Sequence, residues 1–218
     1  MITTLITFIF HLDTVLPQLM NQSGLMVYAL IFLMIFIETG IVVLPFLPGD
    51  SLLFLCGSLA AISNSSLNPV LLIVLLGLAA SMGDSLNFEI GKRFGAHISQ
   101  SPRWQKVVKP KHLQQAQDFF ARHGNSAIFL GRFMPIIRTL VPFTAGGSKM
   151  KYKNFLTYNI IGGFSWVLLC IGAGFFFGNI AIVKNHFSLI MLMIVVISLV
   201  PIMIISFKNY LNSKRGLN

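Results

Sequence analysis

Glu38 closes a run of thirteen apolar residues, Leu25 to Ile37, and apolar sequence resumes at Ile41. Asp50, Asp84, Arg132 and Arg138 are likewise set in or beside apolar sequence. The chain has six acidic residues, and four of them (Glu38, Asp50, Asp84 and Glu89) fall between Leu25 and Gly91. A charge near the centre of a bilayer costs about 2.5–3.5 kcal/mol on insertion scales, so such residues line wet cavities, pair, or carry protons and ions. The two residue types suit different tasks. Arg keeps its charge in a membrane cavity and offers a planar fork of donors that matches phosphate oxygens. Arg132 and Arg138 are therefore candidate substrate-binding residues. Glu38 and Asp50 are candidate proton-coupling residues, because burial and the approach of an Arg set a carboxyl's hold on its proton in opposite senses. Blander readings stand beside these. The Args could snorkel to the interface, the carboxylates could form fixed ion pairs with them, and Asp50 could cap a helix beginning at Ser51.

Several residues would support such a site. Asp84 belongs to Ser81-x-x-Asp84-x-x-Asn87-x-x-x-Gly91, a small and polar stripe at helical spacing that suits packing against another helix or a supporting role at the site. Pro45, Pro48, Gly49, Pro135, Pro142 and Gly146 break the apolar segments that carry the acids and Args. Glu89 suits an ion pair with Lys92 or Arg93 at the membrane edge.

The elements that position these residues follow from composition. A 218-residue chain with 55% hydrophobic residues, 10% charged residues and a mean hydropathy of +0.80 is an all-α integral membrane protein. It reads as one membrane domain, 1–218, with a core at about 25–180. Residues 2–16 form an interfacial helix rather than a cleaved signal, since a basic n-region is missing. Lys111 to His123, with Leu113, Ala116, Phe119 and Phe120 on one side, forms a second amphipathic helix ended by Gly124 and lying on anionic lipid, or recruiting a partner. Cys56 and Cys170 fall in apolar runs without ligand spacing and serve packing. The net charge of +10 does not indicate nucleic acid, because aromatic residues barely interleave the basic stretch.

No Lys or Arg precedes Lys92. Seven then fall in a linker, 92–124; Lys149, Lys151 and Lys153 form a second cluster, and Lys208, Lys214 and Arg215 a third. The positive-inside rule places all three in the cytoplasm. The C-terminal helix, 187–207, and Pro69–Gly91 then run outside to inside, while Phe155–Gly178 runs inside to outside, as does Leu25–Leu44 if the N-terminus is cytoplasmic. Pro45–Ile62 and Asn125–Ser148 are apolar but broken by Pro and Gly. Each predicts a re-entrant hairpin, the first from outside and the second from the cytoplasm, tolerable only where protein or water covers the backbone. A re-entrant hairpin plus a transmembrane helix, repeated upside down, is an inverted repeat whose site forms where the broken segments meet. Pro45-Phe46-x-x-Gly49-x-Ser51 matches Pro142-Phe143-x-x-Gly146-x-Ser148, and Gly91-x-x-x-Gly95 recurs as Gly174-x-x-x-Gly178.

Glu38-Thr39-Gly40 followed by Pro45-Phe46-Leu47-Pro48-Gly49-Asp50-Ser51 resembles the first signature of the bacterial DedA family. Gly131-Arg132-Phe133-x-Pro135-x-x-Arg138-x-x-x-Pro142-x-x-Ala145-Gly146-x-x-x-Met150 resembles the second, continued by Asn159-x-x-Gly162-x-x-x-Trp166. The family is also called the VTT or SNARE-associated domain family. The resemblance implies translocation of lipids such as undecaprenyl phosphate or phosphatidylethanolamine, dependent on the proton motive force. It further implies that Glu38 and Asp50 are the essential acids and Arg132 and Arg138 the essential basic residues.

The expectation is a flippase for a phosphate-bearing lipid in the bacterial cytoplasmic membrane, with the lipid headgroup and protons as partners and a homo-oligomer possible. It is not expected to be an enzyme or to need a cofactor or metal. A membrane phosphatase would need a His or an activated Ser beside its Args, and His11, His97, His112, His123 and His186 all fall outside the motifs. A proton-coupled small-cation antiporter and a passive scramblase are the alternatives.

Overall fold

The computed structural model describes residues 24–41, 49–62, 67–100, 110–134, 137–148, 150–177 and 180. The expected helices at 2–16 and 187–207, together with Pro45, Pro48 and Pro135, lie outside the described residues. Among the described residues all regular structure is helical. In chain order the α-helices are α1 (Gly24–Gly40), α2 (Gly49–Ala60), α3 (Pro69–Gln100), α4 (Pro110–His123), α5 (Ala127–Gly131), α6 (Ile137–Gly147) and α7 (Tyr152–Phe177), with a 3-10 turn at Gly124–Ser126 before α5.

Two helices are long and apolar enough to cross a membrane. They are the 27 residues Pro69–Gly95 of α3 and the 26 residues of α7. At ~1.5 Å per residue each reaches roughly 40 Å, more than the ~30 Å of hydrocarbon in a bilayer. The 12 residues of α2 and 11 of α6 reach only roughly 17 Å. Asn68 starts α3, its side-chain oxygen accepting from the backbone N–H groups of Val70 (2.9 Å) and Leu71 (3.2 Å). Pro69 then takes the first helical position, where its missing N–H is no loss.

Named contacts give the helix directions. The backbone N–H of Asn68, just before α3, donates to Tyr28 Oη near the start of α1 at 2.6 Å. At the other end of α1, Gly40 packs against Gly83, and Asn87 Nδ2 donates to the Thr39 carbonyl at 3.4 Å. So α1 runs parallel to α3, not antiparallel as a cytoplasmic N-terminus would require. The reason is physical: a continuous apolar run carries no direction, and no Lys or Arg flanks α1 to orient it. Next, α2 begins with Gly49 against the Glu38 carboxylate and heads back. Its far half, around Phe54 and Gly57, meets Ile171 and Gly174 near the end of α7. That end of α7 lies beside the start of α3, because the two long helices are antiparallel: Gly77 faces Phe164, Asn159 bonds Ser81, and Phe88 stacks on Phe155 at 4.4 Å between ring centroids. The first fold-back therefore consists of α1 and α2, rather than being confined to Pro45–Ile62.

A second fold-back consists of α5 and α6. Gly131 packs on Val141 and Ile137 across the bend, and α6 runs along α3 with Thr139 beside Asn87, Phe143 beside Gly91 and Gly147 beside Gly95. Pro142 does not break the segment as expected. It lies buried inside α6, where its missing N–H withdraws the helical donor from the Arg138 carbonyl. The interruption falls earlier, between α5 and α6.

Glycine governs where the helices cross. A methyl group at Gly91 would overlap the Phe143 carbonyl, and one at Gly146 the Phe88 carbonyl. A methyl group at Gly57 would overlap the Ile171 carbonyl, and one at Gly174 the Phe54 carbonyl. Backbone meets backbone at both crossings, the small-residue packing that membrane helices use.

Phe88, Ala127, Ile128, Val141, Ala145 and Phe155 form one buried cluster, against which Phe119 and Phe120 of α4 pack. With Leu113 and Ala116 also buried, the apolar face of α4 is turned onto protein and not onto lipid as expected. Gly124 ends this helix at φ +57°, a left-handed turn that glycine takes without strain.

Candidate functional site

The fold-back geometry puts every charged candidate at one depth. Asp84 lies near the middle of the apolar Pro69–Gly95 stretch. Beside it are the end of α1 with Glu38, the start of α2 with Asp50, the bend after α5 with Arg132, and the first turn of α6 with Arg138.

Two linked ion groups result. Arg138 bonds two carboxylates: Nη2 donates to Glu38 Oε1, and Nη1 to Asp50 Oδ1 at 3.0 Å. One guanidinium thus holds carboxylates from both α1 and α2. Arg132 Nη2 donates to Asp84 Oδ2 and to Asn159 Oδ1 at 2.9 Å. Asn159 in turn donates to the Ser81 carbonyl at 2.8 Å. Arg132 and Asp84 are almost fully enclosed, whereas the Arg138 side chain is 14% exposed and that of Asp50 29%. The Arg138 group is the one that opens outward.

Local sequence explains these positions. Gly162 and Gly163 of α7 lie against the Arg132 stem and guanidinium, and a methyl group at Gly163 would crowd the Ser81 hydroxyl. Gly49 likewise yields its side-chain volume to the Glu38 carboxylate, whose Oε2 is buried without a hydrogen-bond partner among the described residues. Asn87 Nδ2 donates to the Thr139 carbonyl at 2.7 Å as well as to that of Thr39, tying together the residues next to Arg138 and Glu38. Glu38, Thr39, Asp84, Arg132, Arg138, Thr139 and Trp166 enclose a cavity of about 10 Å³, at the lower limit for one water.

The sequence-derived candidates Glu38, Asp50, Asp84, Arg132 and Arg138 come together here, with Gly49 packed on Glu38. Pro142 and Gly146 sit further along α6, where Gly146 serves the helix crossing. Glu89 stands apart, paired with Lys92 (3.4 Å) and Arg93 (3.5 Å) at the surface. Among the described residues no group of His, Cys, Asp and Glu is arranged to hold a metal. Sequence reasoning assigned no task to Trp166 or Asn159, although both stand in the motif quoted above. Asn87 was visible only as part of the polar stripe.

Apolar helices that bury paired acids and Args at mid-depth define a helical membrane protein with an internal polar site. The chain belongs to the VTT domain family, which its residues 47–176 match. It is 44% identical to Protein DedA of Escherichia coli (strain K12) over 197 residues, covering 90% of each chain. It is 37% identical to an uncharacterized membrane protein of Mycobacterium tuberculosis over 180 residues, 83% of this chain and 78% of that one. Inner membrane protein YghB of Escherichia coli (strain K12) is 34% identical over 171 residues, 78% of this chain and 77% of that protein. No solved structure matches the chain at a significant level.

Proposed function

We propose that this chain is a multi-pass lipid transporter of the bacterial cytoplasmic membrane, moving a phosphate-bearing lipid such as undecaprenyl phosphate or a phosphatidylethanolamine-type phospholipid. One observation carries the reading: the two terminal nitrogens of Arg138 each hold a carboxylate from the opposing fold-back. A phosphate, able to offer one oxygen to each of those nitrogens, competes with the two carboxylates for them. An arriving headgroup therefore displaces Glu38 or Asp50, and the displaced carboxyl is free to take a proton. Arg132, beyond the same Trp166 ring, adds a second positive charge to the headgroup's surroundings. Three carboxyls (Glu38, Asp50, Asp84) face two Args, leaving one formal negative charge that a proton would cancel. That imbalance supports proton linkage, and it equally favours the runner-up reading of a proton-coupled small-cation antiporter.

The architecture in this proposal is an inverted repeat. Its units are α1–α2–α3 and α5–α6–α7, each a re-entrant hairpin followed by a spanning helix. Support comes from the antiparallel α3 and α7, and from the exchange by which the second helix of each hairpin, α2 or α6, packs on the other unit's long helix. By these crossings Phe54-x-x-Gly57, not Pro45-Phe46-x-x-Gly49, corresponds to Phe143-x-x-Gly146. Acids then line one hairpin tip and Args the other, the arrangement expected of midplane transport sites. The linker 92–124 and the C-terminus face the cytoplasm in this scheme. Cysteines at Leu25, Ile62 and Val70, in a Cys56/Cys170-free background, are expected to react with a membrane-impermeant thiol reagent from one side, and a cysteine at Lys151 from the other. Labelling of Leu25 from the Lys151 side would make α1 a full span and end the hairpin proposal.

Transport class is tested in liposomes containing the purified protein. Movement of a fluorescent phosphate lipid without uptake of Na⁺ or K⁺ is expected. Cation uptake without lipid movement would replace this reading with the antiporter.

A further inference from the structure

Trp166 lies against both ion groups. Its Nε1–H donates at 2.8 Å to Asp50 Oδ1, the same oxygen that accepts from Arg138 Nη1 at 3.0 Å. Its ring lies 5.2 Å from Arg138 Cζ and 5.7 Å from Arg132 Cζ, within cation–π range of both guanidiniums. It is buried, on the face of α7 that also carries Asn159, Gly162 and Gly163. An indole N–H is only ever a donor, so it holds an oxygen acceptor and cannot exchange roles as a hydroxyl would. We infer that Trp166 is a positioning residue that fixes Asp50 on the Arg138 fork and keeps both guanidiniums in place when a carboxylate leaves. Its action on the headgroup passes through Asp50 and the two Args rather than through contact with substrate. In the transport scheme it prevents Arg138 from following a displaced carboxylate, so the fork stays open toward the incoming phosphate.

The test has two arms, and only the second rests on the lipid-transport reading. The chain contains two tryptophans, so Trp104→Phe leaves Trp166 as its sole indole emitter. In purified, folded protein, Asp50→Asn and Arg138→Gln are each expected to change the emission maximum or intensity of Trp166. Emission unaffected by both would overturn the assignment. In the second arm, Trp166→Phe retains a ring face but loses the N–H. Loss of a hydrogen bond to a charged group predicts a roughly tenfold fall in transport of a fluorescent phosphate lipid. In an Asp50→Ala background, which removes the oxygen that accepts the indole N–H, the further loss in residual downhill exchange should be less than about twofold, because a residue acting through Asp50 has nothing left to act on. Equal losses in the two backgrounds would make Trp166 a packing residue and overturn the inference. Should Trp166→Phe not fold, the emission arm still decides, since it retains the native residue. A protein that moves no lipid, yet whose Trp166 emission responds to Asp50→Asn, would remove the transport reading and leave the positioning role intact.

Discussion

Arg138→Lys is expected to reduce lipid transport by about ten- to a hundredfold while leaving the protein folded, the loss of one or more charge-assisted hydrogen bonds at about 1.5–3 kcal/mol each. The native guanidinium uses two separate nitrogens for two carboxylates, Nη1 for Asp50 and Nη2 for Glu38. A lysine ammonium is a compact point charge, so it keeps the charge balance but cannot present that planar fork to two carboxylates or to a phosphate. Because Arg138 is partly exposed, water can reach the shorter side chain and spare the fold. Transport of a labelled lipid into proteoliposomes, alongside the unfolding midpoint in detergent, checks both halves. Wild-type activity with Lys would reduce Arg138 to a charge balance and remove it from the headgroup site.

Arg132→Met should act on stability first. Its guanidinium and Asp84 are both enclosed, with Asn159 completing the group. Removing one partner leaves a buried carboxylate uncompensated, a loss of about 3–5 kcal/mol. Replacing both, as Arg132→Met with Asp84→Leu, is expected to restore most of that stability, because a packed apolar pair avoids the desolvation of two charges. Transport should stay low in the double variant, since the second positive charge near the headgroup is gone. Equilibrium unfolding of the single and double variants provides the measurement. A single variant as stable as wild type would contradict the enclosed pair seen here.

The charged residues of the site were legible because Glu38, Asp50, Asp84, Arg132 and Arg138 interrupt apolar sequence, where lipid makes an unpaired charge costly. Their partners were not. Asp84 pairs with Arg132, forty-eight residues away, and only the meeting of α3 with the α5–α6 bend decides that. The direction of α1 was hidden for a different reason. Apolar side chains satisfy lipid equally in either orientation, and the nearest Lys or Arg follows more than fifty residues after its end. Pro142 was overread as a breaker, because its cost in a helix was weighed without the tertiary packing that holds α6 against α3. Trp166 and Asn159 carry no charge and sit in an apolar helix, so composition gives them no contrast. Of the crossing glycines, Gly91 was legible as part of the packing stripe, Gly174 only as part of a repeated motif, and Gly146 only as an interruption within such a motif. Gly57, the fourth, was read only as an interruption, since the contact it makes is with a backbone distant in sequence.

The most direct measurement is unidirectional movement of a labelled phosphate lipid in proteoliposomes, with and without an imposed pH gradient, for wild type and Glu38→Gln. A gradient drives transport only if proton affinity differs between the headgroup-bound and free states of the site. Wild type is expected to accumulate lipid on one face when the gradient is applied and to stop when it is collapsed. Glu38→Gln, unable to cycle its proton, is expected to lose accumulation and retain at most slow downhill exchange through the Arg132 and Arg138 site. A wild-type rate indifferent to the gradient in either direction would contradict coupling and leave a passive scramblase, and a rate equal to protein-free vesicles would contradict lipid transport itself.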